Sequence, residues 1–328
     1  KMLNFYKNKN ILVTGGSGFV GSNLISSLLK VDANIFTTSF KNKPIINDKK
    51  ITNYQCDLRN LDNCRKVCKD IDYLFMCAAN TSGAKIMEKS PLDHLTPNIN
   101  MNLNMLEAAY ENNVKKFLFI SSNTVYPDTD QPVKEQDVNN DFYEKYYIVA
   151  WMKRFTEIVC DIYSNKIKSP MNTIIIRPGN LYGPNDKFDW EKSKAIPAIL
   201  RRAIEKQNPL EIWGDGSDIK DYLYIDDFIE AILLAMEKID TFQVLNIASG
   251  KPVSLRQVIK SILELADFNE AELIFDKSKP TMIPKRIINI SLAKEKLNWH
   301  PKIELSEGLR NTIDWYKQKY KYNQPEDI

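Results

Sequence analysis

Val13-Thr14-Gly15-Gly16-Ser17-Gly18-Phe19-Val20-Gly21-Ser22 is the stretch on which the reading of this chain turns, because positions 15–21 hold four of the eleven glycines in 328 residues. The apolar run Ile11-Leu12-Val13 precedes it, and Leu24, Ile25, Leu28 and Leu29 follow at helical spacing. A strand therefore runs through a glycine turn into a helix. Gly15 permits the tight turn, Gly18 lets the backbone approach a pyrophosphate, and Gly21 lets the helix pack on the strand. The unpaired amides at the helix start and the helix dipole then attract the anion, which is how a dinucleotide is seated. The spacing here is GxxGxxG.

Working outward, apolar and β-branched runs recur at 11–14, 34–38, 51–55, 73–77, 115–121 and 173–177. Segments of helical period lie between them, at Ser22–Lys30, Leu61–Lys69, Leu95–Asn112 and Tyr146–Ser164. That alternation predicts an α/β fold with a doubly wound parallel sheet. After Arg177 prolines, tryptophans and longer loops become more frequent. Ile225–Lys238 reads as a helix opened by Asp226 and Asp227, followed by the strand Gln243–Ile247. Leu255–Ala266 and Leu309–Tyr320 as helices, with Glu272–Phe275 as a strand, make a smaller α/β C-terminal lobe. The expected division is residues 1–178 and 221–250 for the dinucleotide-binding domain, with 179–220 and 251–328 for the lobe.

Composition removes several function classes. Forty-five Lys and Arg against 42 Asp and Glu leave a net charge of +3, which gives no electrostatic case for nucleic acid or an anionic membrane. Cys56, Cys64, Cys68, Cys77 and Cys160 are odd in number, and His94 and His300 are the only histidines, so no zinc constellation and no metal site is expected. Reduced thiols of a cytoplasmic protein are the expectation. No run approaches the roughly 18 apolar residues of a membrane span, and the Lys- and Asn-rich start does not read as a signal peptide.

The motifs, taken together, resemble the extended short-chain dehydrogenase/reductases, the family of nucleotide-sugar epimerases, dehydratases and reductases. The glycine turn opens the series, followed by Asp57-Leu58, Cys77-Ala78-Ala79 and a helix beginning at Asn98. Ser121-Ser122-Asn123-Thr124-Val125-Tyr126 is similar to the catalytic serine strand, and Arg177-Pro178-Gly179-Asn180-Leu181-Tyr182-Gly183-Pro184 to the sugar-nucleotide loop. Trp213-Gly214-Asp215-Gly216, Lys220-Asp221-Tyr222, Asp226-Asp227 and Arg286 complete it, so the likeness covers nearly the whole chain. It implies a Rossmann-type fold and an NAD or NADP cofactor. The implied cofactor contacts are Gly15, Ser17, Gly18, Phe19, Val20, Gly21, Ser39, Asp57, Leu58, Ala78, Ala79, Lys153, Pro178 and Asn180. The implied substrate contacts are Asn123, Asn180, Lys194, Arg201, Lys220 and Arg286.

Within the family, residues 179–202 are most similar to the GDP-fucose synthases, including the run Ile196-Pro197-Ala198-Ile199-Leu200-Arg201-Arg202. Arg201 and Arg202 read either as a solvated face or as bidentate partners for phosphate. Those synthases epimerise with a cysteine and a histidine at the positions of Thr124 and Lys194 here. A threonine hydroxyl is far too weak an acid to replace a thiol, so double 3,5-epimerisation is not expected. Dehydratases carry an Asp-Glu pair after the serine, where this chain has Asn123 and Thr124. Epimerisation, oxidation or reduction through a 4-keto sugar remains, with a 4,6-dehydratase as the lesser alternative.

The family's proton base is a tyrosine four residues before a lysine, whose charge holds the phenol's pKa down. Lys153 stands 27 residues after Tyr126, as that lysine should, but four residues before it is Val149. Tyr143, Tyr146 and Tyr147 cluster upstream, and on a helix Tyr146 shares the face of Lys153 and Val149 to within about 20–60°. The expectation is that Tyr146 takes over the proton relay beside Lys153, with Ser122 and Thr124 positioning the sugar hydroxyl. The alternative is that the aromatics only pack and the chain is a catalytically silent dinucleotide sensor or scaffold. Strand 2 runs into Thr37-Thr38-Ser39-Phe40-Lys41-Asn42-Lys43 without the acid of NAD-specific members, which leaves NAD and NADP open. The helices Asn98–Asn112 and Tyr146–Ser164 resemble the pair with which family members form homodimers, although their apolar Leu103, Leu106, Val149, Met152, Phe155 and Val159 equally suit burial on the sheet.

Overall fold

The computed structural model describes residues 2–81, 88–190 and 193–320. Seven parallel strands form the central sheet: β1 (Asn10–Val13), β2 (Asn34–Ser39), β3 (Ile51–Gln55), β4 (Tyr73–Met76), β5 (Lys116–Ile120), β6 (Asn172–Pro178) and β10 (Gln243–Ile247). Their order is β10-β6-β5-β4-β1-β2-β3, so strand order reverses between β1 and β4. Both strands stop there, opening a crevice at their carboxyl ends where ligands bind in such sheets.

The side chains of each strand alternate between two cores. Leu12, Leu74, Met76, Phe117, Phe119 and Ile175 point to one face and pack with Cys64, Val67, Met105, Leu106 and Cys160. Those residues come from α3 (Leu61–Val67), α4 (Thr96–Glu111) and α5 (Tyr147–Asn165). Ile11, Val13, Phe75, Leu118, Ile174 and Ile176 point the other way, onto Leu24, Ile25, Leu28, Phe228 and Ile232. These come from α2 (Phe19–Leu28) and α7 (Ile225–Lys238); α1 (Met2–Tyr6) precedes β1. Burial on both faces is why these strands read as unbroken apolar runs in the sequence.

Two small sheets stand apart from the central one, the first crossing the expected boundary at residue 221. β7 (Asn180–Tyr182), β9 (Ile219–Tyr224) and β11 (Pro252–Ser254) form one, while β8 (Leu210–Trp213) and β12 (Leu273–Asp276) pair in parallel. Around them lie α6 (Ala195–Ile204), α8 (Leu255–Leu265), α9 (Ser291–Leu297) and α10 (Leu305–Lys319). Most boundaries shift by a residue or two from the sequence expectation, and three differences matter for the geometry. The second helix starts at Phe19 rather than Ser22, since Gly18 is extended and serves as its N-cap. The last helix starts at Leu305 rather than Leu309, after an extended Glu304. Tyr146 closes a 3₁₀ turn over Glu144–Tyr146 instead of standing inside the long helix. The last residues assigned to the lobe, 321–328, lie outside the described residues.

Candidate active site

The glycine turn sits at the reversal point of the sheet. Gly15 has φ +75°, and a Cβ there would stand 2.9 Å from the Ala78 Cα, so this turn and the strand after it can approach only without a side chain. A Cβ on Gly21 would overlap the carbonyl oxygen of Gly15. Thr14 ties the two strand ends together, its Oγ1 accepting from the amides of Cys77 at 3.0 Å and Ala78 at 2.9 Å. The first amides of α2, at Phe19 and Val20, have no intrahelical acceptor and face the end of the crevice. This backbone cradle fits a dinucleotide pyrophosphate.

After β3, the Asp57 carboxylate grips Arg59, accepting from its Nε at 3.0 Å and its Nη2 at 2.7 Å. That hydrogen bond holds the half-buried Asp57 carboxyl below its ordinary pKa. The Arg59 guanidinium lies 5.5 Å from the ring of Phe40, which is 47% exposed at the end of β2. Ser39 is buried, and its Oγ accepts from Asn53 Nδ2 at 3.1 Å. Leu58 is buried and its carbonyl accepts from Asn104 Nδ2 at 3.3 Å. Ala79 is exposed along the same rim, Ser17 is half-buried, and Asn180 begins β7 beside Tyr222 of β9.

The serine strand ends in a hydroxyl pair. Ser122 Oγ accepts from the Thr124 amide at 3.1 Å and from Thr124 Oγ1 at 2.9 Å, which leaves its own hydrogen to donate outward. Asn123 Nδ2 donates to the Pro178 carbonyl at 2.9 Å and joins this loop to the end of β6. Lys153 reaches the same place from α5, its Nζ donating to the Ile120 carbonyl at 2.9 Å. Burial pushes the Lys153 ammonium down to about 8, with Glu157 opposing.

Tyr146 is not brought to Lys153. Its hydroxyl accepts from the Ile283 amide at 3.4 Å, on the side of the lobe, and burial pushes the phenol well above its ordinary pKa. Arg286 is the cation that acts on it. The 3₁₀ turn is the reason: it swings Tyr146 off the helical face assumed for it. Tyr147, next in sequence, is 50% exposed.

The lobe's cations are placed unequally. Lys194 is half exposed, 3.9 Å from Asp186 and 5.4 Å from the ring of Phe19, so it spans from lobe to glycine turn. Lys220 is half-buried, and desolvation pushes its ammonium down to about 8, with Asp218 opposing and Arg286 adding. Arg286 donates to the carbonyls of Pro127 at 2.9 Å and Tyr126 at 3.2 Å, while its buried Nε has no partner among the described residues. Arg201 is engaged inside the lobe. It donates to Glu205 at 2.8 Å and to the Phe188 carbonyl at 2.8 Å, and stacks 3.9 Å from the Trp190 ring centroid. A phosphate would have to displace those partners.

Sequence reasoning missed Glu157. It is buried in α5, four residues after Lys153, and holds Arg177 of β6 through two bonds, at 2.9 and 2.7 Å. It also accepts from Ser121 at 2.6 Å, next to the hydroxyl pair. Arg177 further donates to Tyr126, whose phenol donates to Asn246 at 2.6 Å. The available signal was a carboxylate one helical turn after Lys153 and Arg154.

Val149 faces a cavity of about 260 Å³ between the start of α5, the turn at Pro91–His94 and the lobe segment Pro280–Met282. Glu88, His94, Glu144, Lys145 and Ile148 also line it. His94 is buried, 4% exposed. All five cysteines are free thiols, and no helix among the described residues is long and apolar enough to cross a membrane.

Residues 11–248 match the NAD dependent epimerase/dehydratase family. The chain is 30% identical over 319 residues to GDP-L-fucose synthase 1 of Arabidopsis thaliana, covering 94% of each. UDP-glucose 4-epimerase of Thermotoga maritima, solved with UDP-glucose, superposes with a TM-score of 0.86 at 27% identity, over 95% of this chain and 99% of that one. A UDP-glucuronic acid 4-epimerase variant from Bacillus cereus, solved with UDP-4-deoxy-4-fluoro-glucuronic acid and NAD, gives 0.83 at 27% identity, over 95% and 100%. With the glycine cradle at the sheet's reversal point and the serine–lysine pair beside it, the chain belongs to the NAD dependent epimerase/dehydratase family, within the extended short-chain dehydrogenase/reductases.

Proposed function

We propose that the protein oxidises, reduces or epimerises a nucleotide-activated sugar through a 4-keto form, using NAD or NADP. The supporting observation is the Ser122–Thr124 hydroxyl pair just after β5, with the Lys153 ammonium on the Ile120 carbonyl at the end of that strand, at the carboxyl end of the sheet that also carries the glycine turn. When bound, the nicotinamide supplies and accepts hydride. Ser122 donates to the sugar oxygen, Thr124 fixes the serine rotamer, and Lys153 holds the ribose and keeps local charge positive. Lys194, Lys220 and Arg286 face the diphosphate side from the lobe, with Asn123 and Asn180 orienting the sugar. Tyr146 serves as proton relay only where its phenol leaves the Ile283 amide.

The domain division stated above, a homodimer and a cytoplasmic location complete the reading. The outer face of α5 carries Tyr147, Phe155, Ile158 and Ile162, 50, 42, 36 and 42% exposed, as one apolar stripe. A second copy of the chain covers that stripe. The reading of a silent dinucleotide-binding relative is favoured by one feature, the valine at 149. Incubation with NAD or NADP and a panel of nucleotide sugars separates the two, with reduced nicotinamide followed near 340 nm and the sugar by NMR. Turnover of a sugar supports the enzyme. Dinucleotide binding with every sugar unchanged and unbound establishes the silent relative.

A further inference from the structure

Position 149, four residues before Lys153, carries a valine that lines a cavity, and the same cavity is lined by a polar group. His94 and Val149 line the same cavity, with Met282 and Thr281 of the lobe opposite. The imidazole Nε2 is enclosed and has no hydrogen-bond partner among the described residues. A buried nitrogen without a partner is costly, and such groups mark places where a ligand completes the bonding. The backbone that carries the ring is held in place. Asn98 donates to the His94 carbonyl at 3.1 Å and to the Asn80 carbonyl at 3.0 Å, clamping the turn to the loop after β4, and the turn packs on α5.

We propose that His94 exchanges the proton with the sugar hydroxyl, in place of the tyrosine absent at Val149. In the oxidation half, the hydroxyl O–H and the carbinol C–H bonds break and a carbonyl forms. The proton goes to Nε2, and the electron pair leaves with the hydrogen as hydride to an oxidised nicotinamide dinucleotide. In the reverse half the imidazolium returns its proton to the carbonyl oxygen as hydride comes back, so the ring is neutral at the start and end of a cycle. The charges around the ring suit that cycle. Burial favours the neutral form, Asp93 opposes it, and Lys153 and Lys187 add to it. Glu88, Glu144 and Lys145 face the same cavity. A neutral imidazole accepts a proton that a phenol with its pKa raised, as at Tyr146, does not.

The inference rests on the nucleotide-sugar reading, and the test separates the two. The full chain is assayed as wild type, H94F, H94Q and Y146F, each checked for dinucleotide affinity. Both His94 variants are expected to lose about 100-fold or more in kcat, with KM and dinucleotide affinity within threefold. The second readout is NMR of the imidazoles, which is simple in a chain with two histidines once H300Q assigns one signal. The His94 resonance is expected to titrate below the ordinary 6.5 and to shift when UDP-glucose or GDP-mannose, whichever is turned over, saturates the protein. Unchanged kcat in H94F and H94Q with activity lost in Y146F, or a His94 resonance unmoved by the sugar that is turned over, overturns the proposal while the enzyme reading stands. A wild type that turns over no nucleotide sugar removes the enzyme reading, and the proposal with it.

Discussion

Lys153 is where one residue's burial becomes measurable. Its ammonium has a pKa of about 8 in the fold against 10.5 in the open chain, so between those values the unfolded chain binds the extra proton. Stability therefore rises with pH across that window, and the cost of burying the charge is fully present below about 8. The wild type should gain stability relative to K153M as pH increases from 8 to 10.5, measured by urea unfolding of each protein without cofactor. A constant difference between the two across that window contradicts the assignment. Ser122, Thr124 and Lys153 were legible in the sequence because a hydroxyl strand end and a lysine at fixed spacing are local signals. Tyr146 was misplaced because a single turn of 3₁₀ geometry, invisible to a 3.6-residue period, moved its hydroxyl to the Ile283 amide. His94 carried no signal at all, since its enclosure comes from segments nearly 190 residues apart in sequence.

Two elements depend on single contacts. Helix α5 is locked to strand β6 by the Glu157–Arg177 pair, whose side chains are 0 and 2% exposed. Replacing Glu157 by Ala strands a buried guanidinium and is expected to cost about 3–5 kcal/mol in denaturant unfolding, with E157Q costing less because it keeps one acceptor. Equal losses in the two variants would show that the charge is immaterial. The turn into α2 depends on the missing side chain at Gly21, where a Cβ would overlap the Gly15 carbonyl. G21A is expected to weaken dinucleotide affinity tenfold or more by titration calorimetry while leaving the substrate lobe's own packing unchanged; unaltered affinity would contradict the cradle. The central strands were read almost to the residue, because burial on both faces makes β1, β4, β5 and β6 apolar runs bounded by turns, while the edge strand β3 is read from its β-branched start. The small strands at 180–182, 210–213 and 252–254 were not, since three or four residues shared with loops leave no periodicity.

For the whole molecule, the stripe of Tyr147, Phe155, Ile158 and Ile162 is the test of assembly. Placing charge there, as F155E with I162E, should convert a dimer to a monomer in sedimentation equilibrium without loss of fold; a wild-type protein that sediments as a monomer ends the dimer proposal. The order of motifs along the chain gave the family, because the glycine turn, Cys77–Ala79, Ser121–Tyr126 and Gly179–Asn180 each follow a strand of the central sheet. It did not give the reaction, which depends on which proton-bearing group meets the sugar across the cleft. The most direct test is an NMR time course of nucleoside-diphosphate hexoses and their 4-keto forms with the wild-type protein and NAD or NADP. One of these sugars should be oxidised, reduced or inverted at C4 catalytically. A full panel left unchanged, in a protein shown to hold the dinucleotide, would contradict the account.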